Sequence, residues 1–101
     1  MRNCLLALLA FMVAVPVSTT AAVDCSRARS NAEKMLCSNG RLQLAEQRMA
    51  YAFREAIRRG ADPAMLMQTQ RSWTSEIRDA CSEVECMLKA YDDRTAELES
   101  P

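Results

Sequence analysis

The apolar positions from residue 66 to residue 98 follow two helical patterns, and the rest of the chain is expected to pack around them. Inward-facing positions recur at 66, 70, 73, 77 and 80, and again at 84, 87, 91, 94 and 98. Steps that alternate between three and four place each series on one face of an α-helix. We therefore predict helices at about 63–80 and 83–98, which meet at a corner, 81–86, with a cysteine at each end.

A third apolar stripe predicts a long helix from about residue 40 to Arg59. Gly60 suits the left-handed conformation that commonly ends a helix. Asp62 and Pro63 then provide a cap and a first turn for the helix that follows. The stripe consists of Leu42, Ala45, Met49, Ala52, Phe53 and Ala56.

The segment before this helix predicts a short, broken helical element. One continuous helix would separate Cys25 and Cys37 by roughly 18 Å along its axis, too far for a disulfide. Ser30 can cap a short helix at 31–36, with Glu33 at the capping-box distance, and a turn near Ser30 would bring Cys37 back to Cys25. The pattern as a whole predicts an all-α bundle of three main helices plus a short N-terminal element.

Residues 1–22 are expected to be a cleaved signal peptide, because a basic residue, an apolar run at 5–15 and small residues follow one another. The run is too short to span a bilayer, which needs about 20 residues. Asp24 stands where a lipidated Cys25 would need a small residue. We expect a single domain, residues 23–101, that is periplasmic or secreted and has no membrane anchor in its mature form.

Four cysteines remain after the leader: Cys25, Cys37, Cys81 and Cys86. An even number in an oxidising compartment indicates two disulfides. Pairing Cys25 with Cys37 and Cys81 with Cys86 would clamp each helix corner, although the sequence leaves both crossed connectivities open. Their spacings match zinc ribbons only loosely, so we expect disulfides, no metal and no cofactor.

Charge is unevenly distributed along the expected mature chain. Residues 23–75 carry nine Arg or Lys against five Asp or Glu, whereas residues 76–101 carry three against eight. A nucleic-acid binder would show a concentrated basic face without a compensating acidic end, so we expect no nucleic-acid partner. The acidic end is either a solvated surface or a site for a basic partner.

Three polar side chains fall on otherwise apolar helix faces: Glu46, Gln70 and Arg94. A buried carboxylate or guanidinium is costly unless it is paired. We therefore predict an internal polar network in which Glu46 and Arg94 lie close, with Gln70 or Tyr91 supplying further hydrogen bonds. Its expected role is structural.

The inventory of side chains argues against an enzyme. The chain has no His, which excludes catalysis through imidazole. No second carboxylate faces Glu46 at helical spacing, as a glycoside hydrolase would require.

The candidate surface for a partner is the acidic corner formed by Asp79, Glu83 and Glu85. A disulfide-held loop of this kind is pre-organised for association, and the alternative is a solvated helix corner.

The order of key residues resembles the small secreted bacterial domain named after the lysozyme inhibitor LprI, over nearly all of the expected mature chain. The most specific part is Gln-x-x-Trp at 70–73, followed by Arg-Asp-x-Cys at 78–81 and Cys-x4-Tyr-x2-Arg at 86–94. Glu46 replaces the usual Asp of that pattern, and Phe53 the usual Tyr. The resemblance implies an all-helical, disulfide-bonded envelope protein, and the activity in the family's name is inhibition of lysozyme.

The leading functional prediction is therefore a secreted, non-enzymatic protein that binds and blocks a peptidoglycan hydrolase such as lysozyme. One alternative is a structural or stress-related envelope protein that binds cell-wall or protein ligands through its basic half. Another is an immunity protein against a cell-wall toxin. The basic half contains Arg27, Arg29, Arg41, Arg48, Arg58 and Arg59.

Overall fold

The computed structural model describes residues 23–101, and this part of the chain is helical without strands. The predicted signal peptide lies outside the described residues. The all-α class, with three main helices and a short N-terminal element, is confirmed. The elements are a 3₁₀ turn Cys25–Arg27, α1 Asn31–Ser38, α2 Gly40–Arg58, α3 Pro63–Trp73 with a π-helical turn Thr74–Arg78, and α4 Val84–Glu99.

Helix starts lie where side chains can cap free backbone amides. Ser30 accepts a hydrogen bond from the Glu33 amide at 3.0 Å, and Glu33 accepts one in return from the Ser30 amide, which completes the predicted capping box. Asn39 caps α2, and Asp62 caps α3 with Pro63 in its first turn. The sequence therefore encodes these boundaries locally.

Gly60 ends α2 as predicted. Its φ of 106° lies in the left-handed region, which glycine enters without a Cβ penalty. The Gly60 amide donates to the Ile57 carbonyl and the Ala61 amide to the Ala56 carbonyl, both at 3.0 Å. This pair of hydrogen bonds satisfies two of the last carbonyls of the helix and turns the chain toward α3.

α2 and α4 lie side by side and run in the same direction. Arg41 meets Glu85 near their first turns, and the Arg59 guanidinium donates to the Leu98 carbonyl at 2.7 Å near their last turns. α3 runs the opposite way along them, because its earlier residues contact Arg94 while its end packs on Tyr91. The core lies between these three helices, and α1 packs against α2 at one end.

The predicted stripes of α2 and α4 face the core. Tyr91, Leu42, Met49 and Met87 are the largest fully enclosed side chains. Trp73 is also buried, as predicted, and packs edge-on against Tyr91 with ring centroids 5.2 Å apart. Such edge-to-face geometry is favourable for aromatic pairs.

The end of α3 differs from the prediction. A regular helix to residue 80 was expected to bury Ile77 and Ala80, but both are exposed and Arg78 is buried instead. The Asp79 amide bonds to the Thr74 carbonyl five residues back, so the last turn is wider than an α turn. The extra residue moves the inward-facing position after Trp73 from 77 to 78.

Both predicted disulfides are present: Cys25–Cys37 and Cys81–Cys86, each with Cα atoms 5.6 Å apart. Each closes a break between helical segments, which confirms the uncrossed connectivity. Disulfides of this kind indicate a non-reducing compartment. No helix within residues 23–101 is long and apolar enough to cross a membrane.

Candidate functional site

A cleft of about 280 Å³ lies between α2 and α3, with residues of the N-terminal segment at its edge. Its walls are largely apolar, and several polar groups converge on it, a combination typical of small-ligand sites. The apolar lining consists of Val23, Met49, Ala50, Phe53, Met67 and Trp73. The polar lining consists of Glu33, Glu46, Arg54, Gln70, Thr74 and Arg78.

Glu46 on α2 and Tyr91 on α4 place two polar groups without hydrogen bonds inside the bundle. The Glu46 Oε2 atom and the Tyr91 hydroxyl are both enclosed, and neither has a hydrogen-bond partner among the described residues. The two groups are near enough to influence each other's ionisation. Burial raises the pKa of the Glu46 carboxyl, an effect that Tyr91 and the positive charge of Arg78 partly offset.

The same environment acts on Tyr91. Burial raises the pKa of its phenol far above the usual value, and the negative charge of Glu46 raises it further. The hydroxyl therefore stays protonated at neutral pH and remains a hydrogen-bond donor next to the carboxylate.

Arg78 supplies the positive charge on this side of the bundle. Its guanidinium contacts the Asp79 Oδ1 atom through Nε at 2.9 Å and through Nη2 at 2.8 Å. Burial on its own would lower the pKa of Arg78, but Asp79 and Tyr91 together outweigh it and the net pKa is raised, so the group stays charged. In the sequence Arg78 stands out only as part of Arg-Asp-x-Cys at 78–81, and helical spacing places position 77 inside instead.

Arg94 is buried at 7% exposure and has a hydrogen-bond network of its own. Its Nε donates to the Gln70 Oε1 atom at 2.9 Å, its Nη2 to the Thr69 hydroxyl at 3.1 Å, and its Nη1 to Glu97 at 3.1 Å. The structure thus brings Gln70 and Arg94 together, as predicted.

The predicted contact between Glu46 and Arg94 is not formed. Arg94 lies one helical turn beyond Tyr91 on α4, where α3 presents its hydrogen-bonding groups. Glu46 instead faces Tyr91 and Arg78. The arginine whose charge acts on this carboxylate is therefore the one that the π-helical turn rotates inward.

The cleft contains a second carboxylate that the sequence analysis did not place there. Glu33 lines the cavity together with Glu46. One oxygen of Glu33 accepts hydrogen bonds from the Ser30 hydroxyl and amide, and these lower the pKa of Glu33. Because this oxygen caps α1, Glu33 has a structural role at the start of that helix.

The acidic corner is exposed and closed by the Cys81–Cys86 bridge. Asp79 pairs with Arg78, and Glu85 pairs with Arg41 at 3.1 Å. Glu83 precedes the first turn of α4, is exposed, and forms no ion pair with a described residue. Of the three predicted contact residues, Glu83 therefore carries the charge that is most available to a partner.

Comparison with protein-family models, curated proteins and solved structures finds no match to this chain. The resemblance to the LprI-type domain therefore stays a prediction. Within residues 23–101, no group of His, Cys, Asp and Glu side chains is arranged to hold a metal ion.

Proposed function

We propose that this chain is an exported, non-catalytic binding protein that blocks a peptidoglycan hydrolase of the lysozyme type through its acidic corner, residues 79–85. The observation that carries the proposal is the exposed Glu83 on a loop closed by the Cys81–Cys86 disulfide. A loop that is already held in shape loses little conformational entropy on binding. The signal peptide expected at residues 1–22 would deliver the chain to the periplasm or the exterior, where such hydrolases act.

Electrostatics support the same surface. Residues 76–101 carry eight acidic against three basic side chains. An acidic region of this kind accelerates association with a basic protein and sets its orientation. Lysozymes are often basic, and the resemblance to a lysozyme-inhibitor domain points to the same class of partner.

The alternative, an envelope protein that binds through its basic half, is less well supported. Four of the six arginines assigned to that surface are already engaged within the chain. These contacts are Arg27 with Asp24, Arg41 with Glu85, Arg58 with Glu55, and Arg59 with the Leu98 carbonyl.

An inhibition titration tests the proposal. Mature protein is titrated against several lysozymes at low ionic strength, where exposed charges are least screened. The double variant Glu83→Lys with Glu85→Lys is expected to weaken inhibition about tenfold or more. The double variant Asp92→Lys with Glu99→Lys makes the same change in net charge on exposed positions of α4 and is expected to stay within about threefold of the wild type. Absence of inhibition at micromolar protein, or equal losses in both variants, would contradict the proposal.

A further inference from the structure

The α2–α3 cleft contains a hydrogen-bond donor whose direction is fixed and which lacks a strong acceptor. The Oε1 atom of Gln70 is held by Arg94 at 2.9 Å, so the amide nitrogen points to the other side. There Nε2 meets only the Met49 sulfur, at 3.5 Å, and a thioether is a weak acceptor. Gln70 therefore presents an amide N–H group to the cleft that a better acceptor would satisfy.

On the α2 side, Glu46 provides an acceptor with capacity to spare. Its Oε2 atom is enclosed on the Tyr91 side and has no hydrogen-bond partner within bonding distance among the described residues. The residue is only partly buried and lines the cavity, so its other oxygen, Oε1, is the one that a ligand can reach. Partly satisfied polar groups in a low-dielectric site favour a partner that completes them.

The charges around the cleft favour a neutral ligand. Two carboxylates, Glu33 and Glu46, and two guanidiniums, Arg54 and Arg78, line the same cavity. The two pairs of charges cancel, so the lining has no net charge that would attract an ion, and a charged ligand would also have to be desolvated. A neutral group with one donor and one acceptor avoids that cost.

We propose that the cleft binds a secondary amide of the N-acyl type, with its carbonyl on Gln70 Nε2, its N–H on Glu46, and its acyl carbon against the apolar wall. In a trans secondary amide the carbonyl oxygen and the N–H group point in opposite directions, so one amide can bond to a donor on α3 and an acceptor on α2 that line the same cavity. The methyl or short alkyl group of the acyl chain would pack against the apolar lining residues Met49, Phe53 and Trp73. The site does not depend on the proposed inhibition of a hydrolase.

Trp73, the chain's one tryptophan, lines the cleft and reports on its occupancy. Its fluorescence is followed during titration with N-acetylglucosamine, N-acetylalanine methylamide, glucosamine and glucose. A cavity of this size holds a fragment, so dissociation constants of about 1–10 mM are expected for the two amides. The proposal is supported if N-acetylglucosamine, N-acetylalanine methylamide or both give a saturating titration. Which of the two saturates identifies whether the natural ligand is a sugar or a peptide. A flat titration with both amides up to about 50 mM, or equal saturation with glucosamine or glucose, would overturn it.

Two variants and a control locate the site. Ala50→Leu fills the cleft from α2. Glu46→Met removes the hydrogen-bond acceptor while keeping the length of the side chain. Each variant is expected to weaken amide binding at least about fivefold. Ala96→Leu enlarges an exposed alanine on α4 and should bind like the wild type. If a variant does not fold, NMR of the wild type tests the site instead, through the chemical shifts of the Gln70 side-chain NH₂ group. Movement on adding the amide supports the site, and unchanged resonances contradict it.

Discussion

Two buried arginines show how single residues shape this bundle. Arg78 and Arg94 are 9% and 7% exposed, and each pairs with an acidic residue on its own segment, Asp79 and Glu97. Pairing offsets the cost of desolvating a guanidinium only when its remaining donors are also bonded. Arg94 meets that condition through Gln70 and Thr69, so it joins α3 to α4.

Substitution of Arg94 is therefore expected to be costly. Arg94→Met keeps the aliphatic stem but leaves the partly buried Gln70 side chain without its donor, so the free energy of unfolding should fall by about 2–4 kcal/mol. Urea unfolding followed by Trp73 fluorescence measures the loss. Arg48→Met, at an exposed position of α2, should change stability by less than about 0.5 kcal/mol. Equal effects of the two variants would show that the network contributes nothing.

Glu46 is expected to make stability depend on pH. Because burial raises its pKa in the folded state, the native protein binds this proton more tightly than the unfolded chain. Its contribution to stability is fully present below the ordinary carboxyl pKa of 4.5 and is lost as pH rises through the raised value in the folded protein.

Glu46→Gln removes this titration. Wild type should therefore lose stability relative to the variant as pH rises above the ordinary value of 4.5, as measured by urea unfolding at several pH values. Glu76→Gln, which changes an exposed carboxylate, serves as the control and should follow the wild-type curve. A constant difference between wild type and Glu46→Gln at all of these pH values would refute the assignment.

The sequence identified the inward-facing polar residues but not all of their partners. Glu46, Gln70 and Arg94 stand out because each interrupts an apolar stripe, a pattern set by the period of the helix alone. Which groups meet depends on how the helices rotate against one another. Here the position of Arg78, set by one widened turn, decides that Glu46 faces Arg78 and not Arg94.

At the scale of elements, local chemistry determines where α1, α2 and α3 begin and where α2 ends. The Ser30 capping box, the Asp62 cap and the glycine at 60 were all readable from a few neighbouring residues. The π-helical turn was not, because its residues, Thr74–Arg78, continue a normal helical pattern. It forms where tertiary packing buries Trp73 and Arg78 together.

A deletion tests whether this turn acts as a one-residue insertion in the helix. Removing Ser75 should let residues 73–78 close as an α-helix with Arg78 still inward, so the variant should fold with a stability loss below about 1.5 kcal/mol. Removing Gln68 instead shifts Trp73 out of the core and should cost about 3 kcal/mol or more. Near-UV circular dichroism of Trp73 and urea midpoints compare the two. Similar losses would contradict the insertion model.

At the scale of the molecule, both disulfides lie at one end of the bundle. Cys37 and Cys86 lie near the first turns of α2 and α4, which stand side by side through Arg41 and Glu85. The opposite end, at Gly60 and the Leu98 carbonyl, has no disulfide among the described residues and is held by hydrogen bonds and by packing of Leu98. The proposed contact surface is thus the covalently held end of the bundle.

The most direct test of contact through the closed corner removes its disulfide and leaves the other in place. Two double variants are compared: Cys81→Ala with Cys86→Ala, and Cys25→Ala with Cys37→Ala. Each should lose about 2–3 kcal/mol of stability in the chain-entropy model. Under conditions where both keep the near-UV spectrum of Trp73, inhibition of a susceptible lysozyme is titrated. Opening the corner should weaken inhibition at least about tenfold, whereas loss of the Cys25–Cys37 bridge should leave it unchanged. Full inhibition by the variant with the open corner would contradict the proposed mechanism.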